Sequence, residues 1–255
     1  MKKILLSVAG FDPSAGAGIL LDLKVFGRLG FQGTAVLTAI TVQNTVRVHE
    51  VVPLPAGLVA DQFEVLAGDM DFAGLKIGMA GSRDNLAGIA KILRAGRGRP
   101  RVVDPVFRSS SGAPLLDSDA VPDFLPAIRG EATILTPNLE EAGRLTGCRV
   151  TDVEGMRAAA EKIYDLGRIP CLVKGGHLAG SPVNLLFDGK TCALFGRPRI
   201  RKVVHGTGCL FSAALLGYLA RGKALVKACE LATDFTAQAI REAVRPGRGR
   251  MIFPG

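Results

Sequence analysis

From Lys3 to about Leu219, short continuous apolar runs alternate with stretches of helical apolar spacing, and no break in composition separates them. Residues 4–9, 74–80 and 171–177 read as strands buried on both faces, and residues 101–106 and 133–138 as further strands. Helices are expected at about 15–29, 58–66, 83–94 and 153–166, opening from Leu139, and at about 207–220 and 224–244. Strand and helix in alternation make an α/β fold with a parallel sheet. Two pieces depart from that rhythm. Residues 34–42 and 46–52 form a strand pair with the polar tip Gln43-Asn44-Thr45, and residues 184–187 and 191–195 form a hairpin turned by Asp188-Gly189. No linker, low-complexity tract or repeat divides the chain, so residues 1–255 are expected to form one domain with a sizeable core. The segment 245–255, rich in Gly, Pro and Arg, reads as loose.

Composition removes several classes of function. The net charge is +9, but much of it lies in arginine clusters at 94–101, 197–202 and 241–250 with no interleaved aromatics to stack on bases, so nucleic acid is not an expected partner. The five cysteines, 148, 171, 192, 209 and 229, show no paired spacing and read as free thiols of a reducing compartment. No apolar run reaches membrane-spanning length, and the start of the chain is too short in its apolar part for a signal peptide. A soluble, cytoplasmic protein is the expectation.

Open α/β sheets bind ligands beyond the carboxyl ends of their strands, and there the chain places its unusual residues. The first strand runs into Gly10-Phe11-Asp12-Pro13-Ser14-Ala15-Gly16-Ala17-Gly18, which fits neither the G-x-G-x-x-G fingerprint nor the Walker A lysine pattern. Asp12 either caps the turn before Pro13 or meets a ligand. Gln43 carries a carboxamide, the complement of an aminopyrimidine edge, although a loop Gln is also compatible with plain solvation. Met79 either lines an apolar pocket for a flat ring or fills core, and Asp104, at a strand end, is placed to help hold a cation or polar ligand. Glu140 and Glu141 complement a helix dipole in a first turn, a sufficient reason for their presence. Lys174 ends a buried strand before Gly175-Gly176, where its ammonium faces the same mouth.

The stretch Val204-His205-Gly206-Thr207-Gly208-Cys209-Leu210-Phe211-Ser212-Ala213-Ala214 runs a glycine-rich turn straight into an apolar helix. It reads as an anion cradle: glycines admit close backbone approach, and the free N–H groups at the positive end of the helix dipole suit a phosphate. The competing reading is a tight turn only. Cys209 at that helix start is expected to have its thiolate favoured by the dipole, making it a candidate base, or else to be a small buried hydrophobe.

Taken together, residues 9–18, Thr38-Ala39-Ile40-Thr41-Val42-Gln43-Asn44-Thr45, Lys76-Ile77-Gly78-Met79, Asp104-Pro105-Val106, Thr136-Pro137-Asn138-Leu139-Glu140-Glu141-Ala142, Val173-Lys174-Gly175-Gly176-His177 and residues 205–209 resemble the hydroxymethylpyrimidine/phosphomethylpyrimidine kinases of thiamin biosynthesis, in order along nearly the whole chain. The resemblance implies the ribokinase-like fold, a three-layer α/β/α sandwich with a central, mostly parallel sheet and a small strand flap. It implies ATP and Mg²⁺ as cofactors, a small pyrimidine as substrate, and a homodimer as an assembly to look for. Residue by residue it implies that Gln43 reads the pyrimidine with Gly10 and Asp12 in the substrate loop, that Met79 and Val106 line the apolar pocket, and that Gly206, Thr207, Gly208 and Cys209 form the catalytic anion hole. Asn138 and Glu141 fit an N-x-x-E pattern associated with phosphate and magnesium, Asp104 is grouped with Glu141 as a metal candidate, and Lys174 matches a lysine near the nucleotide phosphates. Ala15 stands where the family usually has Gly, Phe11 where it usually has Ser, and Asn184 where an Asp is common. The implied reaction moves the ATP γ-phosphoryl group to the hydroxymethyl oxygen and then a second one to the monophosphate. The alternatives are a pyridoxal kinase of the same superfamily and a nucleotide-binding module without chemistry.

Overall fold

The computed structural model describes residues 2–255. In chain order the elements are β1 (Ile4–Phe11), α1 (Gly18–Arg28), β2 (Gln32–Gln43), β3 (Val48–Pro53), α2 (Ala56–Asp69), β4 (Phe72–Ile77), α3 (Asn85–Ala95), β5 (Arg101–Val103), a 3₁₀ turn (Ser118–Ala120) leading into α4 (Val121–Ala127), β6 (Ile134–Leu135), α5 (Leu139–Thr146), α6 (Val153–Gly167), β7 (Cys171–Gly175), β8 (Val183–Phe187), β9 (Cys192–Gly196), α7 (Thr207–Ala220) and α8 (Leu225–Glu242). The strands form one nine-stranded sheet in the order β3-β2-β1-β4-β5-β6-β7-β8-β9. β2, β1, β4, β5, β6 and β7 pair in parallel. β3 is antiparallel to β2, and β8 and β9 add the antiparallel hairpin at the other edge.

The two-residue period of a strand sends neighbours to opposite faces, and the buried strands use both. Leu6 and Val8 of β1 join Ile77, Val103, Ile89 and Ile92 of α3, Phe124 of α4 and Met156 of α6 in one core. Leu5 joins Val102, Ile134, Leu172, Leu21 and Phe26 of α1, Leu215 of α7 and Ala232 of α8 in the other. α7 is apolar nearly all round, with residues from Leu210 to Gly217 buried without a gap, and it is wedged between the sheet, α1 and α8. Among the described residues no helix is long and apolar enough to cross a membrane.

Three expectations need correction. α1 starts at Gly18, not near residue 15, because Ala15 has φ +55° and cannot continue into a helix from there. β6 is only two residues long: Pro137 has no N–H to extend the ladder, and Asn138 makes only an isolated bridge to Lys174. The chain after 244 is not loose. Val244 bridges Ile252, Met251 bridges Val204, and Ile252 and Phe253 are buried.

Candidate active site

β1 turns to β2 on one side and the chain later returns to β4 on its other side, so the sheet has a switch point between the carboxyl ends of β1 and β4. The candidate residues collect along that rim in two clusters, with the turn before α7 reaching both.

The first cluster surrounds His205. Asp12 is buried, and its Oδ1 accepts from the Ser14 N–H at 2.9 Å and the Ser14 hydroxyl at 2.7 Å. Its Oδ2 lies 3.0 Å from His205 Nε2. Burial works against the Asp12 charge, but the hydrogen bonds from His205 and Ser14 prevail and hold its carboxyl below the usual range. Asp12 is therefore a turn cap whose second oxygen meets His205. His205 Nδ1 lies 2.7 Å from the Ser110 hydroxyl, and Gln43 Nε2 lies 2.9 Å from His205 Nε2. One imidazole nitrogen cannot donate to Asp12 and also accept from the Gln43 amide. The network closes when Nε2–H donates toward Asp12, Nδ1 accepts from Ser110, and the Gln43 amide is turned over so that its oxygen faces His205. Its NH₂ then faces the Thr41 hydroxyl, which lies 3.3 Å from the atom it replaces.

Gly10 and Met79 touch across the ends of β1 and β4: a Cβ on Gly10 would sit 2.7 Å from Met79 Sδ. Met79 belongs to a small apolar cluster with Ala39 and Leu115, against which Val51 and Val106 pack, separate from the two main cores. Met79 and Val106 therefore belong to one small apolar patch.

The second cluster is charged. Lys174 Nζ donates to Asp104 Oδ1 at 2.6 Å, and Asp104 also accepts from the hydroxyls of Thr136 at 3.2 Å and Ser212 at 3.2 Å. Burial works against the Lys174 ammonium, but Asp104 and Glu141 keep it above the ordinary lysine range. Glu141 sits in a capping box, its Oε2 accepting from the Asn138 N–H at 2.6 Å while Asn138 Oδ1 accepts from the Glu141 N–H at 2.9 Å. Burial pushes the Glu141 carboxyl up to about 8, with Lys174 pulling the other way and Asp104 adding to the rise. Glu140, by contrast, lies on the exposed side with Arg108 and Arg144. Among the described residues no group of three or more His, Cys, Asp or Glu is arranged to hold a metal.

Gly206 caps α7 at φ +73°, and a Cβ there would run into the Gly16 carbonyl, so the cradle needs glycine on two counts. Thr207 opens the helix. A Cβ on Gly208 would lie 2.9 Å from Lys174 Nζ and 3.8 Å from Asp104 Oδ2, which puts the cradle backbone against the charged cluster. The expectation for Cys209 is reversed in this state. Burial raises its thiol to about 11, against the pull of Lys76 and the N–H of Gly18, so it is a thiol at neutral pH.

Beneath the cradle lies a feature without a role in the sequence reading. Lys76 and Asp22 are both fully buried, with Lys76 Nζ donating to Asp22 Oδ1 at 2.6 Å and Oδ2 at 2.8 Å and the Ser7 hydroxyl donating to Oδ2 at 2.6 Å. Burial opposes both charges, and Asp22 holds the Lys76 ammonium above its ordinary range. A lysine inside the apolar run Leu75-Lys76-Ile77 was the available signal. His205 and Ser110 gave none, because their partners lie far away in the chain.

A mostly parallel sheet layered by helices, with a glycine cradle at a helix start between a small apolar cluster and a buried charged cluster, defines a small-molecule kinase of the ribokinase-like class. The chain belongs to the phosphomethylpyrimidine kinase family, whose model matches residues 12–253. It is 39% identical over 252 residues to the hydroxymethylpyrimidine/phosphomethylpyrimidine kinase of Aquifex aeolicus, covering 98% of this chain and 99% of that one. Among solved structures, the pyridoxal kinase of Staphylococcus aureus in complex with AMP-PCP and pyridoxal superposes with a TM-score of 0.89 at 31% identity, over 99% of this chain and 93% of that one. The phosphomethylpyrimidine kinase of Clostridium difficile superposes with a TM-score of 0.80 at 35% identity, over 94% and 100%.

Proposed function

We propose that this chain transfers the γ-phosphoryl group of ATP to the hydroxymethyl oxygen of 4-amino-5-hydroxymethyl-2-methylpyrimidine, and a second one to the monophosphate. The observation that carries the reading is the placement of the cradle at residues 205–209 between the Gln43–Asp12–His205 cluster and the Lys174–Asp104–Glu141 cluster. The acceptor ring lies over Met79 and Val106, and the Gln43 amide reads its amino edge. The nucleotide phosphates lie toward Lys174 and Asn138. In the first step the hydroxymethyl oxygen forms the new bond to the γ-phosphorus as the bond to ADP breaks, and the alcohol proton passes to Cys209 in the fraction of the protein that carries it as the thiolate. Cradle N–H groups stabilise the charge on the transferring group. In the second step the acceptor oxygen is already anionic, so that no base is needed.

The residues fit a magnesium ion of the kind that keeps most of its ligands as water and phosphate. Glu141 is a buried carboxyl whose ionisation burial and nearby Asp104 oppose, a cost that a cation bound there would relieve. These two would hold the ion, which when bound supplies charge neutralisation on the phosphates.

The second reading, pyridoxal phosphorylation, is favoured by the likeness to the S. aureus enzyme. Incubation with ATP, Mg²⁺ and each alcohol, followed by product analysis, decides between them. Mono- and diphosphate of the pyrimidine are the expected products. Efficient turnover of pyridoxal with none of the pyrimidine would reverse the order, and turnover of neither would leave a binding module.

A further inference from the structure

The chain after α8 makes a loop that closes on itself: Val244 N–H donates to the Ile252 carbonyl at 3.0 Å and Ile252 N–H to the Val244 carbonyl at 2.8 Å. The closed end is pinned. Phe253 is buried in the second core, edge-on to Phe235 with ring centroids 6.0 Å apart. From there the loop grips two parts of the active site through backbone groups. At the cradle, Met251 N–H donates to the Val203 carbonyl at 3.1 Å, and its own carbonyl accepts from the His205 N–H at 2.8 Å. At the strand flap, Arg250 N–H donates to the Thr45 carbonyl at 2.9 Å and Gly249 N–H to the Thr45 hydroxyl at 3.1 Å. Thr45 is two residues beyond Gln43, at the tip where β2 turns to β3. The side chain of Ile252 meanwhile fills the space beside Gly16 and His205, where a Cβ on Gly16 would lie 2.8 Å from it.

We propose that residues 244–253 are a positioning strap for the acceptor site, setting the flap tip, and through it the Gln43 amide, at a fixed distance from His205. Within the strap, Gly249 is the residue on which that spacing depends. The flap is attached to the sheet along one edge only, β3 having no further neighbour. A pair of hydrogen bonds at its free tip therefore limits its swing, whereas the same bonds would add little to a strand already held on both sides. Gly249 fits this use because a Cβ there would overlap the Thr45 carbonyl and the Val46 N, so any other residue must push the strap away from the tip. The strap's anchor lies elsewhere, in Phe253 and the Val244–Ile252 pair, so displacement at Gly249 need not unravel it.

This inference rests on the pyrimidine-kinase reading of the site. It predicts that Gly249→Ala raises KM for the pyrimidine alcohol about tenfold, the factor lost with one ordered polar contact, while KM for ATP and kcat stay within about threefold. Arg250→Pro, which removes the N–H to Thr45 and also restrains the backbone at 249–250, should act in the same direction, and Arg250→Ala, which keeps that N–H, should behave as the parent. Hydrogen exchange on the same proteins should show the tip amides at 43–47 losing protection in the first two variants, with the melting temperature little changed. Unchanged pyrimidine KM in both variants overturns the proposal. So does a common loss of both KM values with a large drop in melting temperature, which would make the strap a general stabiliser. If the parent protein turns over no pyrimidine at all, the functional reading fails, and unchanged protection at 43–47 in Gly249→Ala would then overturn the strap separately.

Discussion

The chemistry at Cys209 is decided by a contest between two environments. A helix start and the Lys76 ammonium favour the thiolate, yet removal from water dominates and lifts the thiol to about 11. At neutral pH the thiolate is then a small fraction that grows about tenfold per pH unit. If Cys209 takes the alcohol proton, kcat/KM of the first phosphorylation should climb with a slope near one between about pH 7 and 9, and the second phosphorylation should be flat there. Cys209→Ala keeps the cradle N–H groups and should slow the alcohol step by about 10²–10⁴-fold, abolish its slope, and leave the monophosphate step far less affected. Parallel pH profiles for the two steps, or equal and slight losses in both, would show that the thiol only packs the helix start, and strong but equal losses would point to the geometry of the cradle. Ala15 shows the same kind of contest in the backbone. At φ +55° it holds a conformation suited to glycine, stabilised by its N–H to the Asp12 carbonyl at 2.9 Å.

Between elements, the Lys76–Asp22 pair is the one contact that joins β4 to α1 through charge rather than apolar packing, with Ser7 of β1 completing it. A buried pair is weak evidence for stability, but removing one partner leaves an uncompensated charge. Lys76→Met should cost about 3–5 kcal/mol in denaturant unfolding, and Lys76→Met with Asp22→Leu should recover most of that. A single-variant cost below about 1 kcal/mol would mean water reaches the pair. The element scale also shows what could be read in the chain. Apolar runs marked β1, β4 and β7 because a strand buried on both faces needs no alternation, and their carboxyl ends carried Asp12, Met79 and Lys174 to the rim. The segment 118–127 gives no helical signal in the sequence, since Pro122 and Pro126 disguise a short helix. The strap is hidden for a different reason. Gly, Pro and Arg describe a segment without a core of its own, but it is held by backbone hydrogen bonds to distant segments, which composition does not encode. The Lys174 partner was open in the same way: its ammonium meets Asp104, a residue seventy positions earlier, in addition to any nucleotide.

For the molecule as a whole, the site stores an electrostatic cost that ligand binding can relieve. Glu141 is pushed from the ordinary 4.5 up to about 8, chiefly by burial. Between those values the folded chain holds a proton that the unfolded chain has released, so folding is favoured most at the acid end of the range. The contribution is complete below about pH 4.5 and is lost as pH rises through about 8. Thermal or denaturant unfolding of the ligand-free protein should therefore show wild type losing stability from pH 5 to 8 relative to Glu141→Gln, whose amide can still accept from the Asn138 N–H but carries no proton to lose. Cation binding must displace that proton, so Mg²⁺ with ATP should stabilise wild type more at pH 8 than at pH 6. In Glu141→Gln this pH dependence of the Mg²⁺ effect should flatten and phosphoryl transfer should fall. Stability curves for the two proteins that run parallel across the range would show that Glu141 is already ionised in the folded chain, with its charge met by Lys174 and the helix start. A Mg²⁺ effect of equal size at both pH values, with the stability curves still diverging, would place the ion elsewhere and leave Glu141 as a cap for α5 alone.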